Sequence, residues 1–243
     1  MRLNKSRIAL IAAATLAPIA AMATPPWFID WAHTAPFEKV LLRIYYLSNE
    51  NGTSRSQSLP RVQIAYGLTY NLELNIRNED LEKTSTKQTV IGVNDTVVGM
   101  KWRFKGEETK NNLALGYAYT VRTGVTGISG NTNSQTPYLM ASVYQGRFGF
   151  YPEVGETFPD SHAIHEDAYY GMLTSYKLNG PWLLMAEGYG NTATTSGAKN
   201  DIEYAGGFYY QPTPLVRYFA RVGHSVEGYS DLQMTFGIQM QLN

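Results

Sequence analysis

The chain contains no cysteine. That excludes a disulfide framework and any thiolate metal site. Beyond residue 23 no run of 18 apolar residues occurs. A transmembrane helix is therefore excluded there, and a β-barrel is the remaining way for this chain to cross a bilayer. Net charge is missing as well, since 20 basic residues stand against 20 acidic ones. Such a balance gives no electrostatic footprint for a nucleic-acid partner. Phosphate-loop, dinucleotide, cytochrome and calcium-loop motifs are also lacking, and the glycines of Gly127-Ile128-Ser129-Gly130 read as turns. No cofactor is expected.

What is present begins at the N-terminus. Arg2, Lys5 and Arg7 charge the start, Ile8 to Ala20 is a short apolar run, and Ala21-Met22-Ala23 fits a small-x-small cleavage site. Residues 1–23 read as a secretory signal. Its removal takes three basic and no acidic residues, leaving a formal charge of −3. Residues 24–36 then form a periplasmic N-terminal arm. Trp27, Phe28 and Trp31 in this arm have three readings: at the membrane interface, in a lumen, or in a poorly ordered arm. Residues 37–243 form the barrel.

The barrel expectation rests on a period of two. In Leu232-Gln-Met-Thr-Phe-Gly-Ile-Gln-Met-Gln-Leu242, a large apolar residue fills every second position. One face of such a strand suits hydrocarbon and the other a polar space. The same alternation runs from Val40 to Tyr46, Val62 to Leu68, Leu72 to Arg77, Val98 to Phe104, Leu113 to Val121 and Val216 to Val222. Further strands are placed near 137–145, 147–155, 167–178, 181–190 and 201–210. The total is twelve, an even number that suits an all-β, antiparallel transmembrane barrel. Eighteen tyrosines suit headgroup-level belts.

Connections alternate in length. Long polar loops are expected at 48–59, 79–93, 123–136, 155–166 and 191–200, and short turns after the second strand and at 105–110, 145–146, 179–181 and 211–214. That alternation marks a barrel of the Gram-negative outer membrane, with both chain ends on the periplasmic rim. Its partners would be outer-membrane lipids, periplasmic chaperones and the barrel-assembly machinery, with an unknown small solute. A soluble all-β protein is the competing reading, and it requires the apolar face to point inward.

If the apolar face meets lipid, the lumen is lined by Lys39, Arg43, Arg61, Glu73, Arg77, Lys101, Arg103, Glu187, Asp201, Glu203, Arg217 and Arg221. Buried charges need partners or water. Glu203 is placed to pair with Arg217 or Arg221, and Lys39 and Arg43 share a wall with the last strand. The set reads as a mildly cationic passage for small anionic solutes, with luminal tyrosine stacking on the ring of an aromatic acid. The same residues also fit a solvated wall of ion pairs.

Two other functions compete with a channel. A non-conducting barrel used for adhesion or envelope structure fits the Tyr-, Asn- and Thr-rich loops. An outer-membrane lipid hydrolase would use His224 and Ser225, but neighbours in a strand point to opposite faces and no third group orients the histidine. His162 and His165 lack a third metal ligand. No catalytic, cofactor-binding or metal-ligating residue is assigned.

Three stretches carry a resemblance to a known family: Tyr66-Gly-Leu-Thr-Tyr-Asn-Leu-Glu-Leu74, Asp95-Thr-Val-Val-Gly-Met-Lys-Trp-Arg-Phe104 and Leu113-Ala-Leu-Gly-Tyr-Ala-Tyr-Thr-Val-Arg-Thr-Gly124. With Tyr209 to Leu215 and the closing strand, they make the chain similar to the outer-membrane family of the MetA pathway of phenol degradation. Arg122 stands where that family usually has proline, and the chain ends Leu242-Asn243 rather than on an aromatic residue. The resemblance implies a transporter-like β-barrel without naming its solute.

Overall fold

The computed structural model describes residues 29–52, 54–85, 88–106, 111–130, 132–161, 166–192, 200–227 and 231–242. Residues 1–23, Trp27 and Phe28 of the arm, His162 and His165 lie outside the described residues. The strands are β1 (Val40–Asn51), β2 (Ser54–Gly67), β3 (Leu72–Thr84), β4 (Thr89–Val93), β5 (Thr96–Lys105), β6 (Asn112–Val121) and β7 (Ser134–Gln145). They continue with β8 (Phe148–Pro159), β9 (Asp167–Lys177), β10 (Trp182–Asn191), β11 (Asp201–Thr213), β12 (Val216–Glu227) and β13 (Leu232–Leu242).

Neighbours pair antiparallel around the whole wall, and β1 closes on β13 from Val40↔Leu242 to Glu50↔Leu232. The wall has twelve positions, because β4 and β5 share one. The long-loop half of β3 pairs with β4 (Asp80↔Val93), and its other half pairs with β5 (Leu72↔Trp102). The chain breaks between them at Asn94-Asp95, where side chains take over. Asn94 Nδ2 donates to Glu79 Oε1 at 2.8 Å, and Asp95 Oδ1 accepts the Gly124 N–H at 2.9 Å. The register also shifts between Ser58 and Arg61. Pro60 lies in that interval, and a residue without an N–H is best tolerated where the ladder is already interrupted.

The two faces settle the orientation. Leu74, Ile76, Met100, Trp102, Leu115, Leu139, Met172, Leu184 and Phe236 are exposed on the outside. Between them, Gln63, Glu73, Arg77, Glu153, Glu187, Glu203, Arg221 and Gln233 are buried. A soluble barrel would have these faces exchanged. Aromatic pairs crowd the short-turn rim, among them Trp182–Tyr210 (4.6 Å), Phe148–Tyr176 (4.8 Å) and Trp102–Phe104 (5.7 Å). They form the girdle expected at headgroup level.

Several strands run further than hydropathy suggests. The expected loop at 48–59 is mostly ladder, with β1 reaching Asn51 and β2 beginning at Ser54. Likewise β3 continues to Thr84 and β8 to Pro159. Above the bilayer both faces meet water, so polar side chains such as the exposed Glu50–Arg55 pair (3.3 Å) ride on strands without apolar alternation.

Leu115 lies mid-strand on the outer face of β6. Leu115→Arg is expected to destabilise the barrel in a lipid bilayer by about 2–4 kcal/mol, the cost of a cation near the midplane. Equilibrium unfolding by denaturant in reconstituted vesicles measures this.

Candidate functional site: a polar lumen and the segment it holds

The inner wall is built by the alternate residues of every strand. Arg61, Glu73, Arg77, Lys101, Arg103, Glu187, Glu203 and Arg221 are buried, and Lys39, Arg43, Asp201 and Arg217 are half-buried. Arg221 is the centre of one cluster. Its guanidinium donates to Glu187 Oε2 (3.0 Å), to Glu203 Oε1 and to Gln233 Oε1. Of the two arginines offered to Glu203 by sequence, Arg221 is the one that meets it. A second cluster is the two-pronged Arg61–Glu79 pair, with both contacts at 2.5 Å. Bidentate geometry of this kind offsets the cost of dehydrating both charges.

Residues 29–35 lie inside this wall, so Trp31 enters the lumen. The backbone is held by side chains from widely separated strands. Ile29 N–H donates to Glu187 Oε1 (2.7 Å), Asp30 N–H to Glu153 Oε2 (2.6 Å), Ala32 N–H to Ser142 Oγ (3.0 Å) and Ala35 N–H to Glu73 Oε2 (2.7 Å). Lys101 Nζ completes the seat by donating to Asp30 Oδ2 at 2.8 Å, with Glu73 at 3.7 Å. Three of these four anchors end on glutamate carboxyl oxygens, and the fourth on the neutral Ser142 hydroxyl.

Ring contacts fix the segment sideways. Trp31 stacks on Tyr151 at 5.5 Å and meets Tyr209 edge-on at 5.7 Å. The Arg217 guanidinium lies 5.1 Å from the Trp31 ring centre and 5.0 Å from that of Tyr209. His33 shares a hydrogen bond with the Tyr144 hydroxyl. Burial, reinforced by the charges of Lys101 and Arg103, holds its imidazole down to about 4, so the ring is neutral at physiological pH.

Two glycines make room. A Cβ on Gly171 would lie 2.5 Å from Ile29 Cδ1, and one on Gly67 would lie 2.1 Å from the Pro36 carbonyl oxygen. At the short-turn rim the chain reverses through Glu38, whose φ of 59° is left-handed, and enters β1. On the opposite rim the 122–130 connection folds back over the wall. Ile128 is fully buried there, Val125 N–H donates to Val93 O (3.0 Å), and Lys83 Nζ donates to Ile128 O (2.5 Å).

The sequence tally of luminal charge omits Asp30, Glu79, Glu153 and Asp167, all of them buried. Adding them removes the overall cationic excess. Glu153 alternates with Pro152 and Val154 on β8, and that local pattern was available to find it. Asp30 and the rest of the inner segment gave no such signal, since their partners lie 38 to 158 positions away.

His224 is exposed and its Nδ1 meets the Asp231 carbonyl oxygen, whereas Ser225 is buried on the other face. The hydrolase pair is not assembled. Among the described residues, no group of three or more His, Asp or Glu side chains is placed to hold a metal ion.

No family model and no curated protein matches the sequence. Solved structures match in shape. The COG4313 outer membrane channel from Pseudomonas putida F1 superposes with a TM-score of 0.74 at 10% identity, over 90% of this chain and 100% of that one. The KdgM porin in complex with disordered oligogalacturonate gives 0.60 at 12%, over 84% and 99%, and the NanC porin 0.59 at 11%, over 84% and 100%. Identities this low define a shared fold. With its lipid-facing exterior, the protein is an outer-membrane β-barrel of porin-like architecture.

Arg221→Met leaves Glu187 and Glu203 buried without their cation. A loss of about 3–5 kcal/mol is expected. Combining it with Glu187→Gln and Glu203→Gln should recover part of that loss, as read from denaturant midpoints.

Proposed function

We propose that this barrel is a solute channel of the outer membrane, here in a closed conformation with residues 29–35 seated in its passage. One observation carries the reading: the seated segment is held by polar anchors against a charged wall. Ile29 and Ala32 also pack into an apolar cluster with Met140 and Leu173, which opposes release, whereas the polar groups are re-solvated when water replaces the segment. The solutes in this reading are small anions, including aromatic acids. The half-buried Arg217, set over aromatic rings, supports that choice.

The proposal extends to the chain's origin and organisation. Residues 1–23 are an export signal, 24–36 an arm that carries the luminal segment, and 37–243 the barrel. Periplasmic chaperones and the barrel-assembly machinery deliver it to the membrane, and it performs no catalysis. The three quoted stretches favour membership of the MetA-pathway transporter family.

A second reading draws on the same contacts. Anchors from four strands make the segment a permanent brace, and the barrel a non-conducting envelope protein. The absence of native cysteine makes the two separable. Ala32→Cys with Ser142→Cys places a lockable pair where Ala32 N–H meets Ser142 Oγ at 3.0 Å. In planar bilayers the oxidised double variant is expected to stay closed, and the reduced form to open at least as often as the wild type, because Ser142→Cys weakens one anchor. Silence in both states, and in the wild type, favours the brace.

A further inference from the structure

Six cations of the wall have partners that divide them into two kinds. Arg61, Lys101 and Arg221 each meet a carboxylate. Arg43, Arg103 and Arg217 have only neutral acceptors among the described residues. Arg43 donates to Gln239 Oε1 (2.8 Å) and Gln63 Oε1 (3.2 Å), and Arg217 to Gln211 Oε1 (2.9 Å). Arg103 donates through Nη2 to the Tyr70 carbonyl, and its Nε and Nη1 have no partner although the residue is only 7% exposed.

The second kind shares one rim, where Glu73, the second residue of β3, stands beside Lys101. Arg43 is the fourth residue of β1, Arg103 the third from the end of β5, and Arg217 the second of β12. All three strand ends lie on the short-turn rim. Geometry gathers them around the inner segment: Arg43 and Arg217 lie opposite Gln239 from the two sides of β13, Arg217 lies over Trp31, and Arg103 shares the Tyr70 carbonyl with the Thr34 hydroxyl. Like charges gathered in a shielded place repel, and a buried guanidinium without a counter-charge is costly. The glutamine oxygens hold the forks in place but supply no opposite charge.

We infer that Arg43, Arg103 and Arg217 form an anion-binding site at the short-turn mouth, built for a small organic monocarboxylate. Guanidinium N–H groups match a planar carboxylate. Arg217 is backed by the rings of Trp31 and Tyr209, an apolar setting that suits an organic monoanion better than doubly charged phosphate. The site deepens the channel reading by placing the anion at one mouth, but its occupancy does not depend on conduction.

The test uses the full-length exported protein in detergent, with sodium butyrate as ligand at fixed ionic strength. Trp31 lies under Arg217, so its fluorescence reports occupancy; a Trp31→Phe variant identifies that component. Butyrate is expected to give a saturable change. Arg103→Gln and Arg217→Gln should each weaken it about tenfold or more, Arg103→Lys should weaken it less, and Arg55→Gln at the far rim should leave it unchanged. Equal saturation in all variants, or none in the wild type, overturns the site. Tighter saturation by inorganic phosphate overturns the ligand class. Retained heat-modifiable migration on gels shows that each variant is folded. Reversal potentials in a salt gradient are measured separately. A barrel that binds butyrate and never conducts sinks the channel reading alone, and one that conducts without binding sinks the site alone.

Discussion

Hydrocarbon offers no hydrogen bonds, so every backbone N–H and C=O at membrane depth must find a partner within the protein. The β1–β13 ladder meets that demand by joining the first strand to the last. It leaves no open edge, and it forces the side chains into two populations. Those outside must be apolar because they meet acyl chains. Those inside are released from that requirement, and this chain uses the freedom to bury arginine and glutamate.

The interior then has its own constraint. Charges taken from bulk water must be answered by other charges or by well-placed dipoles. Arg221 and Arg61 are answered by glutamates on neighbouring strands. Glu153 is answered by the Asp30 amide and the Tyr169 hydroxyl. The luminal segment thus completes the wall electrically, supplying donors to carboxylates and a carboxylate to Lys101. Its seat is specific because each anchor sits on a different strand of a closed, stiff cylinder.

Sequence reveals the first constraint far better than the second. Alternation in stretches such as Leu232–Leu242 repeats what lipid demands, so twelve strands and their outward faces are legible. Beyond the bilayer that demand ends, and the reading stops short at β1, β2, β3 and β8, where polar residues continue the ladder. The split between β4 and β5 at Asn94-Asp95 depends on Glu79, itself assigned to a loop. Charges on clear strands, such as Arg217 and Arg221, were found by parity alone. Which of them meets Glu203 depends on register, and register between distant segments leaves no local trace. The seat of Trp31 between Tyr151 and Tyr209 is likewise a product of closure.

Charge sorting along the wall follows from these two constraints together. Further in, Arg61, Lys101 and Arg221 meet carboxylates, so the field beside them is local and short-ranged. At the short-turn mouth, amide oxygens stand where carboxylates would otherwise neutralise Arg43 and Arg217. A wall selected only for stability would place glutamate at Gln211 or Gln239, since an ion pair with good geometry relieves a buried guanidinium more fully than an amide does. Glutamine keeps the arginine fork oriented while leaving its charge in force. That combination lowers stability and adds potential at the mouth, the distribution expected where a mobile anion, and not the protein, supplies the missing negative charge.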